Sequence, residues 1–184
     1  MQSLWIDKAL TYDGTQLSSL FAYKRFQLLG DSIIAFQGPC RVQLSEMVDV
    51  EDVLDNAPIS SDMMLHFIVE HFINDMSLMV TRQRLLVLIV KEVLETVSKE
   101  KIVRQGDDLF FDGKLSVSIA TLSPVSGLIH LALNITNEGT PVKTASLEDL
   151  AISDVSDLAR KILDAYVAEV QSIDRARCKV RGVF

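Results

Sequence analysis

The residues best suited to chemistry lie between positions 108 and 136, where the sequence predicts two strands with alternating side chains. Asp112-Gly113 is a two-residue turn signal, so we expect a tight hairpin between the segment at Leu109 and the strand that begins at Leu115. Alternation gives each strand one face of core residues, predicted to be Leu115, Val117 and Ile119, then Ile129, Leu131, Leu133 and Ile135. The opposite faces are small or polar and carry Lys114, Ser116, Ser118 and Ala120, then His130, Ala132, Asn134 and Thr136.

Small side chains on that second face leave a groove that something else must fill. One hypothesis is that a helix packs into the groove. The other is that a ligand binds there, with Lys114 and His130 as polar groups at its edge. In the second case, we predict that Lys114 clamps a carboxylate or phosphate, because its ammonium is a compact charge with three donors. The predicted ligand contacts on this face are Ser116, Ser118, His130 and Asn134.

Three side chains elsewhere could also take part in chemistry. His66 and Glu70 share a face whether the apolar segment Met63–Phe72 is a helix or a strand, which allows a hydrogen bond or a pair of metal ligands. The alternative for His66 is a buried histidine whose ring is satisfied by hydrogen bonds. Cys40 precedes Arg41, whose charge would lower the thiol pKa and favour a nucleophile. The alternative for Cys40 is a packed, unreactive cysteine.

Composition limits the classes of function. The 184 residues fit one domain spanning 1–184, and the net charge of −7 argues against binding to nucleic acid. Two distant cysteines without a CxxC pair predict no metal site and a reducing, cytoplasmic location. The longest apolar run, Leu85–Val90, is too short to cross a membrane. The stretch from Val42 to Thr81 has no lysine or arginine and many carboxylates, which indicates a solvated acidic loop or a surface for a metal or cationic partner.

The positioning elements follow from hydrophobic periodicity. Helical spacing predicts helices over 16–29, 78–97 and 155–170, the last capped by Ser153 or Asp154. Strands are predicted over 4–12 and 32–36, the second ending at Gly38-Pro39. Periodicity leaves the segment Met63–Phe72 open between helix and strand.

Several of these segments resemble biotin and lipoate protein ligases. The stretch from Gly106 to Ser118 is similar to the part of those enzymes in which a polar pair and a short strand precede the essential lysine, here Lys114. Gly30–Arg41 resembles their strand that leads into a nucleotide loop rich in glycine and arginine. Ile129–Ile135 is similar to their next strand, and Ser146–Ile152 with the last helix resembles their C-terminal section.

The sequence is also identified as a member of a family called domain of unknown function 366. The similar segments begin at Gly30, Met64, Arg82, Lys114 and Ala176. The resemblance implies an α+β fold with a mostly antiparallel sheet flanked by helices, as in biotin/lipoate ligases and the related synthetase catalytic domains. It favours a strand over Met63–Phe72, with His66, Ile68 and Glu70 on one face.

Two departures from the ligase pattern concern the cofactor and the ligand. The resemblance implies ATP, but only Gly38 and Arg41 remain of the loop that would bind its phosphates, which argues against ATP use. Gln105–Asp108 replaces the usual Trp-Pro-Asn-Asp, which argues against recognition of a biotin-like ring.

Two functions remain as hypotheses. The first is an enzyme of acyl activation or transfer acting on a small carboxylic acid, in which Lys114 stabilises developing charge with help from Arg41. Asp108 or His66 would then orient the ligand or accept a proton. The second is a non-catalytic module that binds a small ligand and has lost the nucleotide loop. Neither hypothesis involves nucleic acid or a membrane, and a homodimer is compatible with both.

Overall fold

A five-stranded sheet forms the centre of the computed structural model, which describes residues 1–55, 59–138 and 143–183. The strands are β1 (Gln2–Ile6), β2 (Ser32–Val42), β3 (Ile59–His71), β4 (Val103–Gln105), β5 (Asp108–Phe110), β6 (Ser116–Leu122) and β7 (Gly127–Asn134). The helices are α1 (Phe21–Phe26), α2 (Val50–Leu54), α3 (Met76–Ser98) and α4 (Val155–Arg177), with a short 3-10 turn at Leu44–Glu46. The main sheet has the order β1-β2-β3-β7-β6, and β4 pairs with β5 in a separate two-stranded sheet.

The main sheet is antiparallel except for its first pair. β1 runs parallel to β2, whereas β2–β3, β3–β7 and β6–β7 are antiparallel. This arrangement confirms the predicted α+β class with a mostly antiparallel sheet flanked by helices. It also confirms the strand predicted over Met63–Phe72, which is the greater part of β3.

The two long helices cover one face of the sheet. α3 packs over β6 and β7, and α4 packs over β1 and β2. Each helix begins at an aspartate whose side chain accepts a backbone N–H, from Leu78 to Asp75 and from Asp157 to Asp154. Their apolar stripes bury Leu86, Val90, Ile162 and Tyr166, among others, against the sheet. Both helices were predicted from spacing, although α4 extends further than expected. None of the helices in the described ranges is long and apolar enough to cross a membrane.

The opposite face is covered by irregular chain rather than by a long helix. The helix predicted over 16–29 is limited to α1, because Leu20 and Gln27 adopt left-handed conformations on either side of it (φ 63° and 59°). The strand predicted over 4–12 is limited to β1. The following segment folds over β2, where Tyr12 forms a parallel bridge with Cys40.

β2 does not end at Gly38-Pro39 as predicted. It continues through Arg41 to Val42, paired with β3 across a bulge between Gly38 and Cys40. Only glycine fits at position 38, because a Cβ there would lie 2.0 Å from the carbonyl oxygen of Leu10. The segment that resembles a nucleotide loop is therefore part of a bulged strand.

The turn predicted at Asp112-Gly113 is confirmed, but its hairpin is short. Phe110 and Lys114 form an isolated antiparallel bridge, and Leu115 N–H donates to the Leu109 carbonyl at 2.8 Å. The strand before the turn is β5, whose ladder partner is β4. The turn thus delivers Lys114 to the edge of the main sheet.

The face assignment predicted for β6 is wrong, and its register with β7 shows why. Facing residues of an antiparallel pair share a face. Ser118 faces Leu131, and Ile119 faces His130. The serines of β6 therefore point toward the long helices, and Val117 packs in the opposite cluster. Alternation alone does not identify the core face when both faces of a strand meet buried residues.

Leucine substitutions at Val117 and Ser118 should therefore have unequal effects. Ser118→Leu adds volume beneath α3 and removes a hydroxyl that accepts a hydrogen bond from Gln83 at 2.8 Å, so we expect a loss of about 1–3 kcal/mol. Val117→Leu adds one methylene on the open face and should cost less than about 1 kcal/mol. Denaturant unfolding of both variants measures the difference, and a larger loss for Val117→Leu would contradict the face assignment.

Candidate functional site

A cavity of about 360 Å³ lies on the sheet face opposite the two long helices. Its floor comes from side chains of β2, β3, β6 and β7, including Met64, Val117 and His130. Its walls come from the segment around α2 and from the loop that carries Lys114. This size falls within the range typical of small-molecule sites.

Two buried histidines form a hydrogen-bonded chain beneath the cavity. His66 Nε2 lies 3.2 Å from the Gly38 carbonyl oxygen, and His66 Nδ1 lies 3.1 Å from His130 Nε2. A carbonyl only accepts, so we assign the proton of His66 to Nε2. Neutral His66 then accepts at Nδ1 from the Nε2–H of His130. This leaves Nδ1 of His130 as an acceptor, and no partner for that atom is found in the described parts of the chain.

The surroundings keep both rings neutral. His66 is fully buried and His130 is 4% exposed. Desolvation lowers the pKa of His66 to about 4 and lowers the pKa of His130 well below its usual range. Tyr12 stacks on His130 with ring centroids 3.8 Å apart, and Phe36 stacks on His66 at 5.1 Å. His130 borders the cavity, whereas His66 is not among its lining residues.

The position of Tyr12 depends on the close approach at Gly38. Leu10 N–H donates to the Gln37 carbonyl at 3.0 Å, and Tyr12 N–H donates to the Pro39 carbonyl at 2.9 Å. These bonds hold the irregular segment against β2 where a larger residue than glycine would push it away. The ring of Tyr12 is therefore fixed over His130.

Lys114 and Asp108 come together at the cavity edge. The Lys114 ammonium lies 2.9 Å from Asp108 Oδ2, with both side chains partly exposed. Both residues border the cavity. Because the predicted clamp already has a carboxylate partner, a ligand anion would compete with Asp108 for it.

The other predicted contacts are mostly occupied by structural bonds. The hydroxyl of Ser116 accepts from Leu109 N–H at 2.9 Å, and that of Ser118 accepts from Gln83 at 2.8 Å, although both residues reach the cavity wall. Asn134 Nδ2 donates to the carbonyls of Lys114 and Ala145, both at 3.1 Å. Its amide orientation is thereby fixed, with Oδ1 as the remaining acceptor.

Arg41 does not reach the cavity. Its Nη1 donates to the carbonyls of Cys40 (2.8 Å) and Ser61 (2.6 Å), and its Nη2 bonds the carboxylate of Asp62. The ligand role predicted for Arg41 is therefore not favoured. The guanidinium of Arg41 instead links β2 to β3 across the bulge.

Of the two alternatives for Cys40, the structure favours the packed, unreactive cysteine over the nucleophile. Cys40 is fully buried, and desolvation raises the pKa of its thiol to about 12 despite the opposing charge of Arg41. The thiol therefore stays protonated at neutral pH. The sequence showed the neighbouring cation but not the burial, which dominates the pKa.

Several cavity residues are not predicted by the sequence. Tyr12 lies in a segment predicted as a strand, and no motif singles out Ser61. The bulge places Ser61 on the same side as Cys40, and its buried hydroxyl has no hydrogen-bond partner in the residues described. Glu46, Asp49 and Asp52 also line the cavity; they belong to the acidic stretch noted in the sequence.

The remaining titratable groups noted in the sequence are structural. Glu70 accepts hydrogen bonds from Leu20 N–H at 2.8 Å and from the Ser126 hydroxyl at 2.6 Å, so it anchors the start of α1. His71 lies between Asp31 (2.8 Å) and the Tyr166 hydroxyl (3.0 Å). Among the described residues, no group of three or more histidine, cysteine or acidic side chains could hold a metal ion.

The three histidines should show two different tautomers. His66 and His130 carry their protons on Nε2, whereas His71 carries its proton on Nδ1 because it donates to Asp31. Nitrogen-15 correlation spectra of the ring nitrogens distinguish these forms. Two Nε2–H rings and one Nδ1–H ring are expected at pH 7, and any other distribution would refute the assigned chain.

The same burial predicts a pH dependence of stability. Folding lowers the pKa of all three histidines, with burial as the main cause, so the unfolded state binds protons that the folded state does not. Stability is therefore full above about pH 6.5 and falls as the pH is lowered toward 4. We expect a loss of about 2 kcal/mol between pH 7 and 5 for each ring that stays neutral. Urea unfolding at both pH values tests this, and an unchanged midpoint would contradict it.

Two archaeal proteins are similar to the chain over nearly its whole length. An uncharacterized protein from Methanocaldococcus jannaschii is 40% identical over 182 residues, covering 95% of this chain and 82% of that protein. The solved structure of a protein of unknown function from Pyrococcus horikoshi has a TM-score of 0.95 at 37% identity, with 100% of both chains covered.

More distant structural neighbours share the fold. A biotin protein ligase from Aquifex aeolicus, solved with biotin and ATP, has a TM-score of 0.60 at 15% identity, covering 92% of this chain and 70% of that one. A protein from T. acidophilum, solved with bound lipoic acid, has a TM-score of 0.62 at 14% identity, covering 92% and 86%. At such identities the likeness shows the fold, and it confirms the predicted biotin/lipoate ligase-like architecture.

The family itself is shown by a direct match. The family model described as domain of unknown function DUF366 matches residues 1–181. This confirms the membership expected from the segments at Gly30, Met64, Arg82, Lys114 and Ala176. The chain belongs to the DUF366 family.

Proposed function

We propose that this protein binds a small organic molecule in the cavity over the histidine pair, without using ATP. The observation that carries the proposal is the cavity of about 360 Å³, whose floor holds a buried histidine with an unused acceptor. Buried polar groups normally have partners, so an unused acceptor beside open space favours a ligand or ordered water there.

The groups that could bind phosphate are already occupied, which argues against the use of ATP. Phosphate sites offer free backbone N–H groups and guanidinium forks. Here the segment from Gly38 to Arg41 is paired as a strand, and the guanidinium of Arg41 is bound to Asp62 and two carbonyls. These groups would have to leave existing partners to bind a nucleotide.

The distant relatives support a small-molecule role for the fold. The Aquifex aeolicus ligase was solved with biotin and ATP, and the T. acidophilum protein with lipoic acid. From these relatives we infer only that the fold can accommodate a small ligand. The two cysteines, buried Cys40 and exposed Cys178, are both free, which suits a protein of the reducing cytoplasm.

A second candidate function is acyl activation or transfer. It is favoured by the position of Lys114, which borders the cavity and resembles the essential lysine of the ligases. In this hypothesis Lys114 stabilises charge on a small carboxylic acid as it reacts, and Asp108 positions the ammonium.

Filling the cavity should abolish binding of small molecules. Val117→Trp places an indole where Val117 borders the open space, and the matched control Val125→Trp adds the same group at an exposed loop position. A fragment screen by ligand-observed NMR should give hits for wild type and the control, and none for Val117→Trp with an unchanged fold by circular dichroism. Hits that persist in Val117→Trp would place binding elsewhere and refute the proposal.

Pyrophosphate exchange separates the two candidates. With biotin, lipoate or octanoate plus ATP, we expect no exchange above background. Lys114→Ala and Lys114→Arg should both fold normally, because a partly exposed ion pair contributes about 0–1 kcal/mol. Exchange by wild type that is lost in both variants would overturn the ATP-independent proposal and favour acyl activation.

A further inference from the structure

We infer that the ligand of this cavity carries a positively charged amine or guanidinium group, and that carboxylates and phosphates are excluded. This inference rests on the proposed function and specifies its ligand class. Two separate observations support it: the charges on the wall, where Lys114 is already paired, and the buried acceptors on the floor.

The wall of the cavity has more negative than positive charge. Its lining carboxylates are Glu46, Asp49, Asp52, Asp107 and Asp108, and its lining cation is Lys114. Arg84 pairs with Asp107 at 2.8 Å, and Lys114 pairs with Asp108 at 2.9 Å. The other three carboxylates form no ion pair within the described ranges, although the charge of Lys114 opposes the rise in the pKa of Asp52.

Two of these carboxylates, Asp49 and Asp52, lie close together at the start of α2. Asp49 caps α2 by accepting the Glu51 N–H at 2.9 Å, which fixes its carboxylate one turn from Asp52. Partial burial, and next the charge of Asp49, raise the pKa of Asp52 above its usual value. A ligand cation near these two carboxylates would relieve that repulsion, whereas an anion would increase it.

The floor of the cavity offers acceptors, which is the second and independent observation. His130 and Asn134 are 4% and 5% exposed, and neither His130 Nδ1 nor Asn134 Oδ1 has a hydrogen-bond partner in the described structure. The hydroxyl of Ser61, 2% exposed, is also without a partner there. All three residues line the cavity. A ligand carboxylate could not donate to the first two atoms, whereas an N–H group could.

The histidine chain prevents His130 from adapting to an anion. To donate from Nδ1, His130 would have to become charged or reverse its tautomer, because its Nε2–H is committed to His66. His66 in turn donates to the Gly38 carbonyl, which cannot donate. The backbone carbonyl therefore fixes the direction of both hydrogen bonds, and Nδ1 of His130 remains an acceptor.

A panel matched in shape and varied in charge tests the inference. The probes are pentylamine, pentan-1-ol and pentanoate, then benzylamine, benzyl alcohol and benzoate, together with agmatine. NMR titrations at low ionic strength and pH 7.5 give the affinities for wild type and for Val117→Trp. We expect each amine to bind at least tenfold more tightly than its alcohol, the carboxylates to show no binding, and the His130 Nδ1 resonance to shift with the amines.

Charge-removing variants provide the matched controls. Asp49→Asn keeps an N-cap acceptor, and both Asp49→Asn and Asp52→Asn should weaken amine binding about tenfold. Asp164→Asn removes the same charge from an exposed position on α4 and should leave the affinity unchanged.

The outcomes separate this inference from the proposed function. Carboxylates or alcohols that bind wild type as well as amines do, and fail to bind Val117→Trp, would refute the cationic ligand and leave a small-molecule site in place. If no probe of any charge binds wild type better than Val117→Trp, both the inference and the proposed function fail.

Discussion

Burial keeps each of two neighbouring histidines neutral, because a single imidazolium in an apolar environment is costly and two adjacent ones are more so. In this protein the Gly38 carbonyl adds a direction to that constraint. It accepts from His66, so His66 accepts from His130, and Nδ1 of His130, a residue that borders the cavity, is left as an acceptor. The contacts around the two histidines hold them in place. Gly38 leaves space for Leu10, and the segment after Leu10 places Tyr12 over His130.

This arrangement differs from the site that the biotin/lipoate ligase-like fold would suggest. The segment that resembles a nucleotide loop is paired with β3, and the guanidinium of Arg41 binds Asp62. Carboxylates of the segment around α2 line the cavity. A fold that accommodates biotin with ATP in one distant relative is here combined with a cavity whose charges suit the opposite kind of ligand.

The sequence predicted the architecture better than the site. Periodicity located α3 and α4, and family resemblance settled β3 as a strand where periodicity could not. The failures have physical causes that lie outside any local pattern: the register of β6 with β7 reversed the faces of Val117 and Ser118, and burial outweighed Arg41 in setting the pKa of the Cys40 thiol. Lys114, Asp108 and His130 do border one cavity, but the partners that decide the chemistry of His130, namely His66 and Tyr12, come from distant segments.

The most direct measurement is a crystal structure of the protein with a bound small amine at neutral pH. We expect density in the cavity, with a ligand N–H group within about 2.7–3.2 Å of His130 Nδ1 and the cationic end near Asp49 and Asp52. Lys114 should remain paired with Asp108. A ligand bound outside the cavity, or an anion that draws Lys114 from Asp108 while His130 turns away from His66, would refute a cation site above the neutral histidine pair.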